Sequence, residues 1–391
     1  MPKLIQLNST ANWGSTGKIA EGIGMAAMNN GWESHIAYGR YMNPSNSELV
    51  KVGNKLDIYS HYFRARFLDG EGLGSKRATQ DLINEIIHHN PDIIQLHNIH
   101  DHWLNYPLLF KFLDTIDTPI VWTFHDCWAF TGGCAHFEYN ECFKWRNHNC
   151  NQCCFGHSNS SNNFNLKKAS LSTIGKRLHI VSVSQWLSNY VRQSFISNIT
   201  NNFQVINNGI DINGVFTPGG QKEQLVIGVS NVWTESKGFN DFIKLRRILP
   251  QSIKIVLVGL TSKQIKSMPD GIYGIERTES AAELAHLYRS ARVFVNPTYN
   301  DSFPTVNLEA LACGTPVVTY RTGGSPEAID ERTGIVVEKG DIEDLASSIK
   351  IVIDNPGKFS SENCHQHAVS HFNKDIQFGK YIDLYEYLLK N

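Results

Sequence analysis

The 391-residue sequence has no long apolar run and no excess of one charge. A membrane-spanning helix needs about 20 consecutive apolar residues, and no segment approaches that length. The opening MPKLIQLNSTANWG also lacks the apolar stretch of a secretory signal, so we expect a cytoplasmic protein. Lys and Arg number 36 against 37 Asp and Glu, and this balance predicts no nucleic-acid partner and no strong attraction to an anionic membrane.

The chain is too long for one ordinary core, and its pattern of buried strands and helices occurs twice. One series opens with the apolar strand Lys3 to Asn8, and a second opens with Leu225 to Ser230. Such alternation predicts a doubly wound parallel sheet with helices on both faces. We therefore predict an α/β protein with Rossmann-like domains at residues 1–207 and 208–370, and a C-terminal helix at 371–391 that packs across both domains.

A segment rich in Cys, His, aromatic residues and Asn interrupts the first series at residues 126–165. The chain has eight cysteines, which we expect to remain reduced because no export signal is present. CxxC spacing lets two thiolates bind one tetrahedral ion, which predicts a structural zinc site; buried unpaired thiols and disulfides remain open alternatives. The four candidate ligands have the spacing C-x7-C-x7-C-x2-C and are Cys134, Cys142, Cys150 and Cys153.

The segment DSFPTVNLEALACGTPVV, from Asp301 to Val318, predicts a loop, a helix and a strand in succession. Proline suits the first turn of a helix, and the amides at a helix N-terminus bind phosphate. Glu309 follows Asp301 by eight residues, so the two carboxylates can bracket one extended ligand, a sugar hydroxyl at one end and a ribose at the other. We predict that phosphate binds near Phe303, Pro304, Thr305 and Val306.

This segment resembles the signature of the large retaining glycosyltransferase family that has two facing Rossmann-like domains, the GT-B fold. The signature is an acidic residue, seven others and a Glu, followed by a CGxPVV turn. Here Asp301 stands where the family more often has Glu, and SFPTVN replaces a Gly-rich run. The resemblance extends to NGID at Asn208 to Asp211 and to Gly323-Gly324. It implies a nucleotide-sugar substrate, UDP- or GDP-linked, and no organic cofactor.

The resemblance also gives Lys237, followed by Gly238, the task of neutralising the donor diphosphate. A solvated surface lysine is the simpler interpretation of that residue alone. Many family members carry an Arg about six residues before this Lys, whereas the sequence here is SNVWTESK. Arg321 is the substitute that we consider.

In the first domain, WGSTGK resembles the Gly-rich loop that follows the first strand in this family. Gly14 and Gly17 are expected to tolerate unusual dihedrals there, while the helix begins at Ile19. A nucleotide-triphosphate P-loop is excluded because Asn12 and Ile19 stand where its pattern requires Gly and Ser or Thr.

Three histidines follow predicted strand ends, where ligands bind in open α/β sheets: His97, His100 and His125. His125 corresponds to the active-site histidine of the family, and we predict that it is catalytic together with Lys237 and Asp301. For His97 and His100, a hydrogen-bonded structural role is an equal alternative.

The resemblance implies that the enzyme retains anomeric configuration and transfers a hexose. The stretch HDCWAFTGGC with CNQC is similar to enzymes of colanic-acid, capsule and O-antigen synthesis, which implies a glycan or lipid-linked glycan acceptor and leaves open peripheral contact with the inner membrane leaflet. Two alternatives remain: a sugar-nucleotide epimerase of the same fold, and a non-catalytic zinc-containing polysaccharide-assembly protein.

Overall fold

The computed structural model describes residues 1–68, 70–147, 150 and 160–391. The chain divides into two compact units, one comprising residues 1–207 and 377–391 and the other residues 208–376.

Within the described residues, the sheet of the first unit has seven parallel strands in the order β3-β2-β1-β4-β5-β6-β7. Strands β1 to β7 are Lys3–Asn8, Glu33–Tyr38, Glu48–Lys51, Ile93–Leu96, Ile120–Phe124, Leu178–Ser182 and Phe203–Val205. Helices α1 to α6 are Gly14–Asn29, Lys55–Phe67, Lys76–His89, Tyr106–Leu113, Ser160–Ser172 and Gln185–Gln193. Strands β1, β4 and β5 are nearly or fully buried along their length, as expected for strands with helices on both faces.

The sheet of the second unit has six parallel strands among the described residues, in the order β10-β9-β8-β11-β12-β13. Strands β8 to β13 are Glu223–Val229, Lys254–Val258, Ile272–Ile275, Ala291–Asn296, Val317–Tyr320 and Gly334–Val337. Helices α7 to α12 are Phe239–Ile248, Ser262–Lys266, Ala281–Ser290, Thr305–Ala312, Ile342–Asp354 and Ser361–Phe372. Two Rossmann-like sheets therefore confirm the predicted fold class.

The last helix, α13 at Lys374–Lys390, supplies apolar side chains to the core of the first unit. A Cβ on Gly22 of α1 would lie 2.2 Å from the ring of Phe378, so a glycine is needed for this close packing. Tyr381 and Tyr385 are buried, and their hydroxyls form hydrogen bonds to Thr123 at 3.0 Å and to Gln95 at 2.8 Å. These bonds satisfy the two polar groups that the packing removes from water.

Candidate functional site

Each sheet reverses its strand order beside the strand with which the unit begins. β1 lies between β2 and β4, and β8 lies between β9 and β11. In open parallel sheets, ligands bind outside the carboxyl ends of the strands at such a reversal. The segments that follow β1, β4, β8 and β11 are therefore where functional side chains are expected.

Lys237 and Asp301, which lie 64 residues apart, meet in the second unit. Lys237 Nζ lies 2.9 Å from Asp301 Oδ2 and donates to the carbonyl of Asn300 at 3.1 Å. The two side chains keep 31% and 27% of their exposure, so solvent reaches both charges. A cation and a carboxylate held together in this way can bind a diphosphate and a hydroxyl, respectively.

The segment that carries Lys237 packs directly against the backbone that follows β11. Gly238 has φ +77°, and a Cβ there would lie 2.3 Å from the carbonyl oxygen of Pro297. The amide of Tyr299 donates to the carbonyl of Ser236 at 2.8 Å. Glycine after Lys237 is therefore required by conformation and by space, and this contact sets where the ammonium group lies.

The Gly323-Gly324 pair holds the other side of the Asp301 loop. Gly323 has φ +56°, and a Cβ there would lie 1.6 Å from the carbonyl oxygen of Asp301, which also accepts a hydrogen bond from Gly324 N at 3.2 Å. The two glycines thus allow their backbone to lie in direct contact with the backbone of Asp301.

Helix α10 begins at Thr305, one residue later than the prediction that placed Pro304 in its first turn. Pro304 occupies the N-cap position in an extended conformation, with φ −70° and ψ 117°. Proline has no side-chain acceptor, and the first turn reads Thr-Val-Asn, without a carboxylate. The amides of Thr305 and Val306 have no acceptor within the helix, so this N-terminus can bind an anion.

Glu309 forms a hydrogen bond with a buried tyrosine. The hydroxyl of Tyr288 donates to Glu309 Oε2 at 3.1 Å. Burial, reinforced by the Glu309 carboxylate, raises the pKa of Tyr288 well above its ordinary value, so the phenol remains a donor. Glu309 is half-buried, and this bond restricts the directions in which its carboxylate can point.

Asp241, which the sequence analysis missed, fixes the position of Tyr299 in the Asp301 loop. Its buried Oδ2 accepts from the hydroxyls of Tyr299 at 2.7 Å and Tyr320 at 3.0 Å, while Lys244 lies 3.1 Å from Oδ1. Acidic residues are common in the first turn of a helix, so this position carried no distinctive sequence signal.

The predicted substitute for the missing diphosphate-binding Arg has another partner. Arg321 forms an exposed salt bridge with Glu338. At the position of the missing Arg, Asn231 and Val232 are exposed and Trp233 is buried, donating through Nε1 to the carbonyl of Val258 at 2.9 Å.

In the first unit, residues 14–17 form the first turn of α1 rather than the predicted loop. Gly14 has the expected positive φ, +66°, whereas Gly17 is helical. A Cβ on Gly17 would lie 2.8 Å from Thr10 Oγ1, so its role is close packing rather than an unusual dihedral. The helix therefore begins at Gly14 and not at Ile19 as predicted.

A chain of three side chains, Gln6, His97 and His125, crosses the strands of the first unit. Gln6 Nε2 donates to the carbonyl of Ala20 at 2.8 Å, which leaves Gln6 Oε1 to accept from His97 Nε2 at 3.0 Å. His97 Nδ1 must then accept from His125 Nε2, also at 3.0 Å. In neutral His125 the proton lies on Nε2, so Nδ1 is a hydrogen-bond acceptor.

The charge state of this chain follows from its burial. Burial lowers the pKa of His125 to about 4, the Asp126 carboxylate opposing and His100 adding to the effect. Burial, and then His125, lowers the pKa of His97 well below its ordinary value. Both rings are therefore neutral near pH 7.

His100 is protonated near pH 7, although it lies only three residues after the neutral His97. Burial disfavours its charge, but the carboxylates of Asp126 and Asp101 outweigh that effect and raise the pKa of His100 well above its ordinary value. Its Nε2 lies 2.8 Å from Asp126 Oδ2, and its Nδ1 lies 3.3 Å from Asp101 Oδ1. Asp101 and His102 have φ of +75° and +65°, a strained conformation for residues other than glycine.

The Cys-rich segment is only partly within the described residues. Cys134 and Cys150 are buried and Cys142 is half-buried, whereas Cys153 lies outside the described residues. Lys167 of α5 is also buried and donates to the carbonyls of Trp128 at 2.6 Å and Thr131 at 3.1 Å, which joins the start of this segment to the helix.

Within the described part of the chain, the side chains close enough to share a metal ion are those of His35, Glu48 and His89, whose ligand atoms lie within 4.8 Å of one another. His35 Nδ1 lies 3.2 Å from Glu48 Oε2, whereas Nε2 of this buried ring has no hydrogen-bond partner among the described residues. A metal ligand normally donates its second ring N–H to an acceptor, so this group lacks the support of a built site.

Comparison with known proteins assigns both units. Residues 22–213 match the model of glycosyltransferase family 4, and residues 223–355 match that of the group 1 glycosyl transferases. D-inositol 3-phosphate glycosyltransferases are similar in part. That of Mycobacteroides abscessus is 29% identical over 188 residues, 42% of each chain, and that of Corynebacterium jeikeium is 48% identical over 75 residues, 19% of this chain and 18% of the relative. The chain thus matches less than half the length of these curated relatives.

Solved structures are similar over the whole chain. Sucrose-phosphate synthase of Thermosynechococcus elongatus has a TM-score of 0.73 at 15% identity, and each chain is covered completely. Anabaena HepE, solved in complex with UDP, has a TM-score of 0.68 at 15% identity, with 98% of this chain and 99% of that chain covered. At such identities the likeness shows the fold. With the two domain models matching one unit each, the chain belongs to the glycosyltransferases of the GT-B fold.

Proposed function

We propose that this protein is a retaining glycosyltransferase that moves a hexose from a nucleotide-sugar to a glycan acceptor. The observation that carries the proposal is the Lys237–Asp301 pair, which follows the reversal strands β8 and β11 in the same unit as the uncapped N-terminus of α10. One cation and one helix N-terminus suit a diphosphate, and the carboxylates of Asp301 and Glu309 suit hydroxyl groups.

In the proposed reaction, the bond between the anomeric carbon and the diphosphate oxygen breaks, and the acceptor oxygen bonds to the same carbon on the same face. The leaving phosphate takes the proton of the acceptor hydroxyl. Lys237 and the amides of Thr305 and Val306 stabilise the charge that develops on the diphosphate. In the first unit, neutral His125 offers Nδ1 as an acceptor for a substrate hydroxyl.

The donor nucleoside that we favour is uridine, since HepE is solved with UDP and with UDP-glucose. The proposed acceptor is a lipid-linked glycan of a surface polysaccharide, used in the cytoplasm at the inner membrane leaflet. The relatives named D-inositol 3-phosphate glycosyltransferase support a second candidate acceptor, an inositol phosphate.

We also propose that zinc stabilises the Cys-rich segment, with Cys134, Cys142, Cys150 and Cys153 as ligands.

The function is tested by following nucleotide release from UDP- and GDP-sugars with a lipid-linked glycan or inositol phosphate as acceptor. Lys237→Ala and Glu309→Ala should each reduce transfer by about 100-fold or more, since groups that stabilise developing charge have effects of that size. Lys244→Ala, which removes another ammonium group paired with a carboxylate in the same unit, is the matched control and should retain activity. Full activity in both test variants would contradict the proposal.

The two alternatives give different products in the same assay. An epimerase would convert the nucleotide-sugar without an acceptor, and a non-catalytic protein would release no nucleotide above the blank. Proton NMR of the product establishes the anomeric configuration, and an inverted product would overturn the retaining mechanism.

A further inference from the structure

Helix α2 exposes a row of large apolar side chains along its whole length. Leu56, Tyr59, Phe63 and Phe67 keep 78%, 68%, 57% and 66% of their exposure, respectively. Residues spaced by three and four lie on one face of a helix, so these four side chains form a continuous stripe. The rings of Phe63 and Phe67 touch, with centroids 4.7 Å apart. We call these four residues the α2 stripe.

The opposite face of α2 is firmly packed, so the α2 stripe cannot turn inward. His61 and Ala65 are buried there. A Cβ on Gly74 would lie 2.4 Å from the ring of His61, whose Nδ1 lies 3.0 Å from Ser75 Oγ. A helix at the surface of a soluble protein normally shows its polar residues to solvent, and α2 shows a wide apolar face instead.

Basic residues border the α2 stripe on both sides. At 3.6 residues per turn, Lys55 and Arg66 project beside one edge and Arg64 beside the other, and all three are exposed. The acidic residue of the helix, Asp57, is half-buried and accepts a hydrogen bond from Asn54 N at 2.9 Å in the N-terminal capping box. The solvent-facing side of α2 is therefore apolar at its centre and positive at its borders.

We propose that α2 docks the protein on the surface of an anionic lipid bilayer. Aromatic and aliphatic side chains would enter the boundary between headgroups and acyl chains, while the basic borders meet anionic headgroups. A second copy of the chain fits less well, because two-fold pairing of this face would bring basic borders together. No helix among the described residues is long and apolar enough to cross a membrane, so the contact proposed is with the bilayer surface.

This surface does not depend on the transfer reaction, and the two proposals can fail separately. Lys237→Ala should bind vesicles like the wild type while losing transfer. Substitutions in the α2 stripe should keep transfer to a soluble acceptor while losing vesicle binding. With a lipid-linked acceptor, as proposed above, docking on the bilayer would bring the enzyme to its acceptor.

The test is co-flotation of the full chain with large unilamellar vesicles of phosphatidylcholine alone or with 30 to 40% phosphatidylglycerol. The double variant Phe63→Ser/Phe67→Ser should lower the partition coefficient on anionic vesicles roughly tenfold or more, since each ring removes a large apolar area from water. Arg64→Glu/Arg66→Glu should abolish the preference for anionic vesicles. Tyr387→Ser removes an equally exposed aromatic ring of another helix and should bind like the wild type.

A second measurement detects insertion directly. In Phe63→Trp, the difference spectrum against wild type should shift to the blue and be quenched by brominated acyl chains when anionic vesicles are added. No binding by the wild type, or equal binding by the double serine variant, would overturn the proposal. So would a concentration-dependent dimer in sedimentation velocity that the double serine variant abolishes, because the occupant would then be a second copy.

Discussion

His97 Nδ1 accepts a hydrogen bond from His125 Nε2 at 3.0 Å, and Gln6 fixes the direction of that bond. His97 is therefore a positioning residue for His125. In His97→Leu, the His125 N–H would be left buried and unpaired, at a cost of about 1–3 kcal/mol. We expect His125 to exchange tautomers or rotate, and kcat for transfer to fall about 10- to 100-fold with little change in KM.

Nitrogen-15 NMR of the imidazoles distinguishes this from a general loss of structure. In the wild type, His125 should show a protonated Nε2 and a bare Nδ1, and in His97→Leu this pattern should change. His97→Gln, which keeps an acceptor, should recover part of the rate. An unchanged His125 tautomer in the leucine variant would contradict the positioning role.

Acid should destabilise the protein through its buried neutral histidines. Burial lowers the pKa of His61 to about 4, as it does for His125, against 6.5 for an ordinary histidine. Between pH 6.5 and 4 the unfolded chain binds more protons at these residues, so the free energy of unfolding falls as pH falls through this window. Urea unfolding at pH 7 and pH 5 should show the loss in the wild type and a smaller loss in His61→Gln.

Asp241→Ala should destabilise the second unit by roughly 2–4 kcal/mol, because it leaves the hydroxyls of Tyr299 and Tyr320 without their shared acceptor. Urea unfolding measures the change. Lys244→Ala, which removes the exposed partner of the same carboxylate, should cost less than about 1 kcal/mol. Equal losses in the two variants would mean that the ion pair, not the tyrosines, accounts for the effect.

Gly323→Ala should weaken binding of a uridine diphosphate by about tenfold or more, since the new methyl group would collide with the carbonyl of Asp301 and displace the loop. Isothermal titration calorimetry of the purified chain gives the affinity. Gly357→Ala is the matched control, because a Cβ there meets nothing within 4 Å. Equal affinity for both variants would show that the Asp301 loop does not contact the nucleotide.

Zinc in the Cys-rich segment is tested by metal analysis after exhaustive dialysis. The proposal predicts about one equivalent in the wild type and a clear loss in Cys134→Ser/Cys150→Ser. Less than about a tenth of an equivalent in a folded wild type would rule out the site.

The sequence determined the class of the protein because the evidence for it is local. Runs of buried strand residues specify parallel sheets, and the helix start at Thr305 with its flanking carboxylates lies within one short segment. Even there, boundaries were displaced. Helix α1 begins at Gly14 because Gly17 lets its first turn pack closely against Thr10, and Pro304 stands at the N-cap position of α10 instead of in its first turn.

Only the tertiary structure decided which distant residues meet. Lys237 reaches Asp301 and Gln6 reaches His97 because a parallel sheet brings the carboxyl ends of non-consecutive strands to one edge. The outward direction of the α2 stripe was also invisible, since helical periodicity identifies an apolar face without showing whether that face is covered. The near-zero net charge of the whole chain also gave no sign of the basic borders of the α2 stripe, because three basic residues change the total charge very little.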